Sequence, residues 1–292
     1  MEIQIKPTGE QLKMWVEGYI PEKDFFFVDE NMVAGLEEEL SGAEIFTRTA
    51  FFETREYDTL DLNNSLMYWA LSKEVSYVVI APAEWLSQLS LEKQVILLTS
   101  QTKMRQGMIF PSNIFPSSAA IPDHHLHAGY VVVQRGLWES FSFENQVEIL
   151  SNYAQLWDGW TAEPLPEQSP LHLAKYANTF NATHHGNCLA ATIFAMTSDE
   201  DIIQQWLSQE DFVEIIKSEG YQVINEKPDL EDISVWVNEN EVIQHAAFYL
   251  GNSLYFNKNG QTYFNPWTIC KEEQLCKEWE HLDKRTYRRR VE

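Results

Sequence analysis

Cys188 stands at the start of a predicted helix, a position that favours thiol chemistry. Residues 181–190 form a small polar loop followed at once by an apolar run, and Asn187 is suited to cap the helix. The positive end of a helix dipole and its free N–H groups stabilise a thiolate and can hold the oxyanion of a tetrahedral intermediate. The segment therefore predicts Cys188 as a nucleophile. Asn187 and His185 are candidate contacts for the substrate or the oxyanion, although a solvated loop also accounts for His184 and His185.

A predicted hairpin supplies the groups that such a thiol needs. His245 begins one strand, Gly251 and Asn252 form a turn, and Asn257 ends the returning strand. Antiparallel pairing brings Asn257 back beside His245, where its amide oxygen could accept the imidazole N–H and fix the tautomer. The sequence thus predicts a catalytic triad in the order Cys188, His245, Asn257.

The hairpin HAAFYLGNSLYFNKNG resembles the histidine hairpin of the NlpC-type and YiiX-type papain-like cysteine hydrolases. In that family a cysteine opens a helix, a histidine begins a strand, and a polar residue twelve positions later completes the site. The resemblance covers about residues 170 to 270, and Asp232-Ile-Ser-Val-Trp236 resembles the strand before the histidine. It implies a peptidase or amidase that acts on a peptide or amide substrate through an acyl-enzyme.

Two segments depart from the family pattern. The family often has Asp-Cys-Ser-Gly at the nucleophile, where this chain has Asn187-Cys188-Leu-Ala, and Glu231-Asp232 replaces the usual Gly-Asp. The resemblance therefore implies the fold of this chain more directly than it implies the substrate. A thiol acyltransferase and a catalytically silent papain-like binding module remain open alternatives.

The chain is predicted to be an α+β protein with two domains. Three prolines between Glu163 and Pro170 interrupt the predicted helix that precedes them, which places a boundary there. We expect an α+β domain of unknown role over residues 1–163. A papain-like domain, with helices packed on an antiparallel sheet, is expected over residues 164–292.

The order of elements after this boundary is helices first, then strands. Helices are predicted from Ser169 to Thr179, from Asn187 to Met196, and after the caps Ser198 and Ser208. The segments that follow have strand character, and a last helix runs from Lys271 to about His281. The predicted strands are Tyr221–Asn225, Ile233–Val237, Val242–Leu250, Leu254–Asn257 and Gln261–Ile269.

Composition excludes several partners. The formal net charge of −23 disfavours nucleic acid and anionic membranes, and the basic residues from Lys284 to Arg290 are expected to form a solvated tail. Without an export signal or an apolar stretch of membrane length, we expect a cytoplasmic protein. Three cysteines are too few for a disulfide framework. No residue pattern indicates a cofactor, and the oligomeric state is left open.

A cluster of histidines suggests a metal site, but only weakly. His124, His125 and His127 follow Asp123, and histidines two or three residues apart can share a metal ion. No second cluster stands at a recognisable spacing, and the motif runs directly into a predicted strand. We therefore expect no metal site, and a metallohydrolase is the third interpretation.

Overall fold

The computed structural model describes residues 2–36, 38–54, 71–181 and 186–290. Their strands are, in chain order, β1 (Ile3–Gln4), β2 (Lys23–Val28), β3 (Glu44–Thr47), β4 (Tyr77–Pro82), β5 (Ile109–Pro111), β6 (Leu126–His127), β7 (Tyr130–Val132), β8 (Thr161–Ala162), β9 (Tyr221–Ile224), β10 (Ile233–Val237), β11 (Ile243–Tyr249), β12 (Leu254–Asn257), β13 (Thr268–Lys271) and β14 (Asp283–Arg289). Their α-helices are α1 (Gly9–Gly18), α2 (Glu30–Gly35), α3 (Arg48–Glu53), α4 (Trp85–Gln88), α5 (Leu91–Met104), α6 (Arg135–Ser140), α7 (Phe143–Trp157), α8 (Cys188–Thr197), α9 (Gln209–Ser218) and α10 (Glu272–Glu278). The mixture of helices and antiparallel sheets makes this an α+β protein.

The chain forms two compact units whose boundary differs from the expected division after residue 163. The N-terminal unit is Leu12–Tyr153, and the C-terminal unit combines Met1–Gln11 with Ala154–Glu292. The first residues join the second unit because β1 pairs antiparallel with β8. A proline cluster shows where a helix cannot continue, but it cannot reveal that a distant segment returns to pair with it.

The N-terminal unit contains two three-stranded antiparallel sheets, with strand orders β2-β4-β3 and β5-β7-β6. Four consecutive residues of β4, from Val78 to Ala81, are buried, as the apolar sequence of this strand predicts. Ser90 caps α5 by accepting a hydrogen bond from the backbone N–H of Lys93.

Among the described residues, no helix is long and apolar enough to cross a bilayer.

The C-terminal unit is built on a six-stranded antiparallel sheet of order β13-β12-β11-β10-β14-β9. Side chains of β11 alternate between its two faces. Ala246 and Phe248 point to the face that α8 covers, in a cluster with Phe194 and Phe256. A second cluster covers the opposite face, so the sheet lies between two clusters of buried side chains.

The second face carries an aromatic cluster. Trp236, Tyr249 and Tyr255 pack there with Leu275 of α10, and Trp279 lies against them. The sheet therefore separates a mainly aliphatic core under α8 from an aromatic core under α10. Each candidate site residue on β11 or β12 is assigned to one of these environments by its position in the alternation.

Several elements match their predicted bounds and others do not. β10 and β12 begin and end where the sequence predicts. Only Thr268 and Ile269 of the predicted strand Gln261–Ile269 are in a strand, and the preceding residues form turns. The predicted helix at Ser198 was wrong: Ser198 has φ 61°, in the left-handed region, and ends α8 instead.

The basic C-terminal segment was expected to be a solvated tail and is instead the strand β14, between β10 and β9. Acidic partners neutralise its arginines. Arg288 donates to the Asp232 carboxylate, with Nε–Oδ1 at 3.0 Å and Nη2–Oδ2 at 2.8 Å, and the Asp232 side chain is 2% exposed. Arg285 forms two hydrogen bonds with Glu241, whose side chain is 68% exposed. Because the acidic partners lie elsewhere in the sequence, this basic strand resembled a solvated tail.

The two ion pairs of β14 should differ in their contribution to stability. Arg288→Met leaves the buried Asp232 carboxylate without its cation, and we expect it to lower the free energy of unfolding. The matched variant Arg285→Met breaks an exposed pair on the same strand and should cost clearly less. Urea denaturation of both variants measures the difference. Equal losses would show that Asp232 does not depend on Arg288.

Candidate active site

Cys188 is the first residue of α8, as predicted. Asn187 caps the helix: its side-chain oxygen accepts from Ala190 N at 2.9 Å, while its Nδ2 donates to Leu207 O at 2.8 Å. Gly186 allows the segment before α8 to pass close to the backbone of Ile203, since a Cβ at residue 186 would lie 2.4 Å from the Ile203 backbone oxygen. These contacts fix the start of α8 and hence the position of the thiol.

The Cys188 sulfur lies near the backbone N–H of Ala246 in β11. Burial raises the pKa of the Cys188 thiol, although the N–H groups of Ala246, Leu189 and Cys188 itself and the charge of Lys258 act in the opposite direction. Part of the Cys188 residue remains exposed. The resting side chain is therefore a neutral thiol near backbone N–H groups.

His245 and Asn257 form the predicted hydrogen bond. The hairpin pairs Phe248 with Phe256 and Tyr249 with Tyr255, which brings His245 Nε2 to 2.7 Å from Asn257 Oδ1. Because an amide oxygen only accepts, Nε2 carries the proton and Nδ1 is a bare lone pair. His245 is fully buried, and burial lowers its pKa to about 4 against the opposing effect of the Asn257 hydrogen bond.

The structure does not join the sulfur to the imidazole. His245 Nδ1 is buried and has no hydrogen-bond partner among the described residues, so the expected contact with Cys188 Sγ is absent. The His245 ring stacks on Trp279 at 4.6 Å and packs near Trp236, on the aromatic side of the sheet. Cys188 packs against the cluster under α8. Alternation along β11 causes this, because the Ala246 side chain points to the face that α8 covers and the His245 side chain points to the other face.

Lys258 is a component of the site that sequence reasoning missed. Its ammonium is fully buried, donates to the backbone oxygens of Thr262 and Asn265, and lies 5.6 Å from the centre of the Trp267 ring. Burial lowers the pKa of Lys258 to about 7, against the charges of Asp158 and Cys188. The lysine thus places an amine on the thiol side of β12 that is a cation below about pH 7. Its position between two asparagines at a strand end was the available signal.

A polar network on the other side of β12 was also missed. Asn257 Nδ2 donates to Asn259 Oδ1 at 2.7 Å, and Asn259 Nδ2 donates to Asp158 Oδ1 at 3.3 Å and to Glu278 Oε2 at 3.2 Å. Asn257 and Asn259 share this side because side chains two residues apart in an extended segment point the same way. Asp158 is remote in sequence, so nothing in the local pattern predicts its presence.

The remaining candidate histidines belong to the N-terminal unit or fall outside the described residues. His184 and His185 are not among the described residues. His125 Nδ1 contacts Val132 O at 2.8 Å, and His127 Nε2 contacts His124 O at 2.7 Å. In the described part of the chain, no three His, Cys, Asp or Glu residues are grouped so that they could hold a metal ion.

The buried neutral imidazole predicts a specific pH dependence of stability. The pKa of His245 falls from 6.5 to about 4 on folding, so the unfolded chain binds the extra proton in this interval and folding becomes less favourable as the pH falls. Between about pH 7 and about pH 4.5, His245 should remove about 2 kcal/mol from the free energy of unfolding.

The variant His245→Asn should lose this component of the pH dependence, measured by urea denaturation at both pH values. His281→Asn, at an exposed histidine, is the control and should keep the wild-type dependence. A His245→Asn protein whose pH dependence equals that of the wild type would contradict the assignment of a buried neutral imidazole.

Comparison with known proteins gives no relative. No family model, no curated protein and no solved structure matches this chain. The support for a function therefore comes from the residues and geometry of the chain itself.

Proposed function

We propose that the C-terminal unit is a papain-like cysteine hydrolase of the NlpC type that cleaves a peptide or amide through Cys188, His245 and Asn257. The observation that carries the proposal is the His245 imidazole. Its Nε2 is held by Asn257 Oδ1 at 2.7 Å, and its buried Nδ1 has no partner among the described residues. An unsatisfied buried acceptor costs about 1–3 kcal/mol, and such exceptions call for an explanation such as a catalytic role.

In this proposal the thiol is the missing donor. Its sulfur lies near the N–H of Ala246, the residue bonded directly to His245. For this the site has to rearrange so that the thiol proton reaches Nδ1, because the imidazole packs on the aromatic side of the sheet and Cys188 packs against the cluster under α8. His245 then accepts the proton as general base, and the sulfur attacks the substrate carbonyl carbon.

The remaining steps use groups already in place. The backbone N–H groups of Cys188 and Leu189 at the start of α8 would hold the oxyanion, as donors at a helix N-terminus commonly do. The imidazolium returns its proton to the leaving amine, which leaves an acyl group on Cys188. Water, activated by His245, releases the acid and restores the thiol. The buried Lys258 cation favours each state in which the sulfur carries negative charge.

A non-catalytic binding module is the second candidate. It is favoured by the absent hydrogen bond between Cys188 and His245 and by the raised pKa of the thiol. In that case the buried triad residues would have a structural role only, and the sulfur would react as an ordinary shielded thiol. The two candidates therefore differ in whether the reactivity of Cys188 depends on His245.

Acylation by p-nitrophenyl acetate tests the roles without knowledge of the natural substrate. Cys188→Ala should abolish acetylation of the site, His245→Gln should slow it by about 100-fold or more, and Asn257→Ala by about tenfold, since an orienting group contributes less than the base. Release of p-nitrophenol gives the rate, and peptide mass mapping locates the acetyl group. Cys276→Ala, which removes a half-buried thiol of α10, is the control and should change neither readout. Similar small losses in all three triad variants would contradict the assignment.

Alkylation separates the enzyme from the binding module. We expect iodoacetamide to modify Cys188 at about pH 7 at least tenfold more slowly in His245→Gln than in the wild type, because the base that removes the thiol proton is lost. Mass spectrometry of the Cys188 peptide over time gives both rates. Equal rates would exclude His245 as the base and favour the binding module.

A further inference from the structure

The hydrogen bonds beyond Asn257 form a chain with a fixed direction. It runs from His245 Nε2 to Asn257 Oδ1 at 2.7 Å, from Asn257 Nδ2 to Asn259 Oδ1 at 2.7 Å, and from Asn259 Nδ2 to two carboxylates. These are Asp158 Oδ1 at 3.3 Å and Glu278 Oε2 at 3.2 Å. Every link joins side chains of the C-terminal unit.

The carboxylates determine the direction of the whole chain. An ionised carboxylate only accepts hydrogen bonds, so Asn259 must present its NH₂ group to Asp158 and Glu278. The Asn259 oxygen then faces Asn257 and accepts from its NH₂ group. The Asn257 oxygen is left to face His245, which forces the proton onto Nε2 and leaves Nδ1 bare. A flip of either amide would set two donors or two acceptors against each other.

Burial makes this constraint strong. His245 is fully buried and Asn257 is 2% exposed, so solvent cannot replace a lost partner at either residue. Without the carboxylates, both amides could turn together and place the imidazole proton on Nδ1 at little cost. In that tautomer Nδ1, the proposed base, carries a proton and cannot accept another.

Neighbouring groups affect the negative charge of Asp158 and Glu278, the last acceptors in this series of hydrogen bonds. Asp158 also accepts from Asn265 Nδ2 at 3.4 Å, and the buried Lys258 ammonium acts on it electrostatically. Burial raises the pKa of Asp158 to about 6, and the nearby Glu278 adds to this effect. Burial also raises the pKa of Glu278. Above about pH 7 Asp158 is ionised and acts only as an acceptor.

We propose that Asp158 and Glu278 are positioning residues that select the Nε2–H tautomer of His245 through Asn259 and Asn257. The effect on catalysis rests on the function proposed above, in which Nδ1 is the base. The tautomer itself is a property of the folded chain and can be measured without any substrate.

The test uses the full chain with ¹⁵N-labelled histidine, at about pH 7.5. In the wild type, long-range ¹H–¹⁵N correlation should show Nε2 of His245 protonated and Nδ1 unprotonated. Asp158→Asn combined with Glu278→Gln preserves side-chain shape and removes both obligatory acceptors, so both tautomers should be populated. Glu278→Gln alone, at a surface position of α10, should give a smaller shift in the same direction and covers the case in which the double variant does not fold.

Glu273→Gln is the matched control, because Glu273 is an exposed acid of the same helix outside the chain of hydrogen bonds. It should leave the tautomer unchanged. A pure Nε2–H tautomer in the folded double variant, or in Glu278→Gln if only that variant folds, would overturn the proposal.

The rate of acetylation by p-nitrophenyl acetate separates this inference from the proposed function. If Nδ1 is the base, the rate relative to wild type should fall to the fraction of molecules that keep the Nε2–H tautomer. A shifted tautomer with an unchanged rate would uphold the control of the tautomer and contradict the role of His245 as base. An unchanged tautomer would contradict the positioning role whatever the rate.

Discussion

The hydrogen bond from His245 Nε2 to Asn257 Oδ1 is the interaction on which the site depends. It exists because β11 and β12 pair in one register, with Phe248 opposite Phe256 and Tyr249 opposite Tyr255. If β12 slipped by one residue against β11, Asn257 would turn to the other face of the sheet, away from His245. The same register places Ala246 under α8 and so determines where the Cys188 sulfur meets the strand.

Burial then sets the chemical state of the site. The ordinary thiol pKa of 9.0 already exceeds the His245 pKa of about 4 by about 5, and burial raises the thiol pKa further. Before their mutual attraction is counted, proton transfer from thiol to imidazole therefore costs at least about 7 kcal/mol. The resting groups are neutral, and in the proposed mechanism charge separation is coupled to substrate binding. Lys258 and the N–H groups at the start of α8 are the groups that would stabilise a thiolate there.

Local sequence patterns predicted elements well where one face is apolar and failed where charge or loop contacts determine structure. β10 and β12 have the predicted bounds because their side chains are buried against two clusters. β14 was missed because its arginines are matched by Asp232, Glu241 and Glu219, which lie far away in the chain. Most of the predicted strand Gln261–Ile269 is instead a turn, whose carbonyl groups at Thr262 and Asn265 accept from the buried Lys258.

The sequence by itself determined the α+β class, the cysteine at a capped helix start, and the histidine and asparagine that face each other in a hairpin. These follow from local rules: helix capping, alternation along strands and the geometry of a short turn. Tertiary structure alone decided which face of the sheet α8 covers, and hence that the sulfur meets Ala246 rather than the imidazole. It also brought Asp158 and Glu278 to the end of the asparagine chain. Contacts between residues so far apart depend on how whole elements pack, which no local pattern encodes.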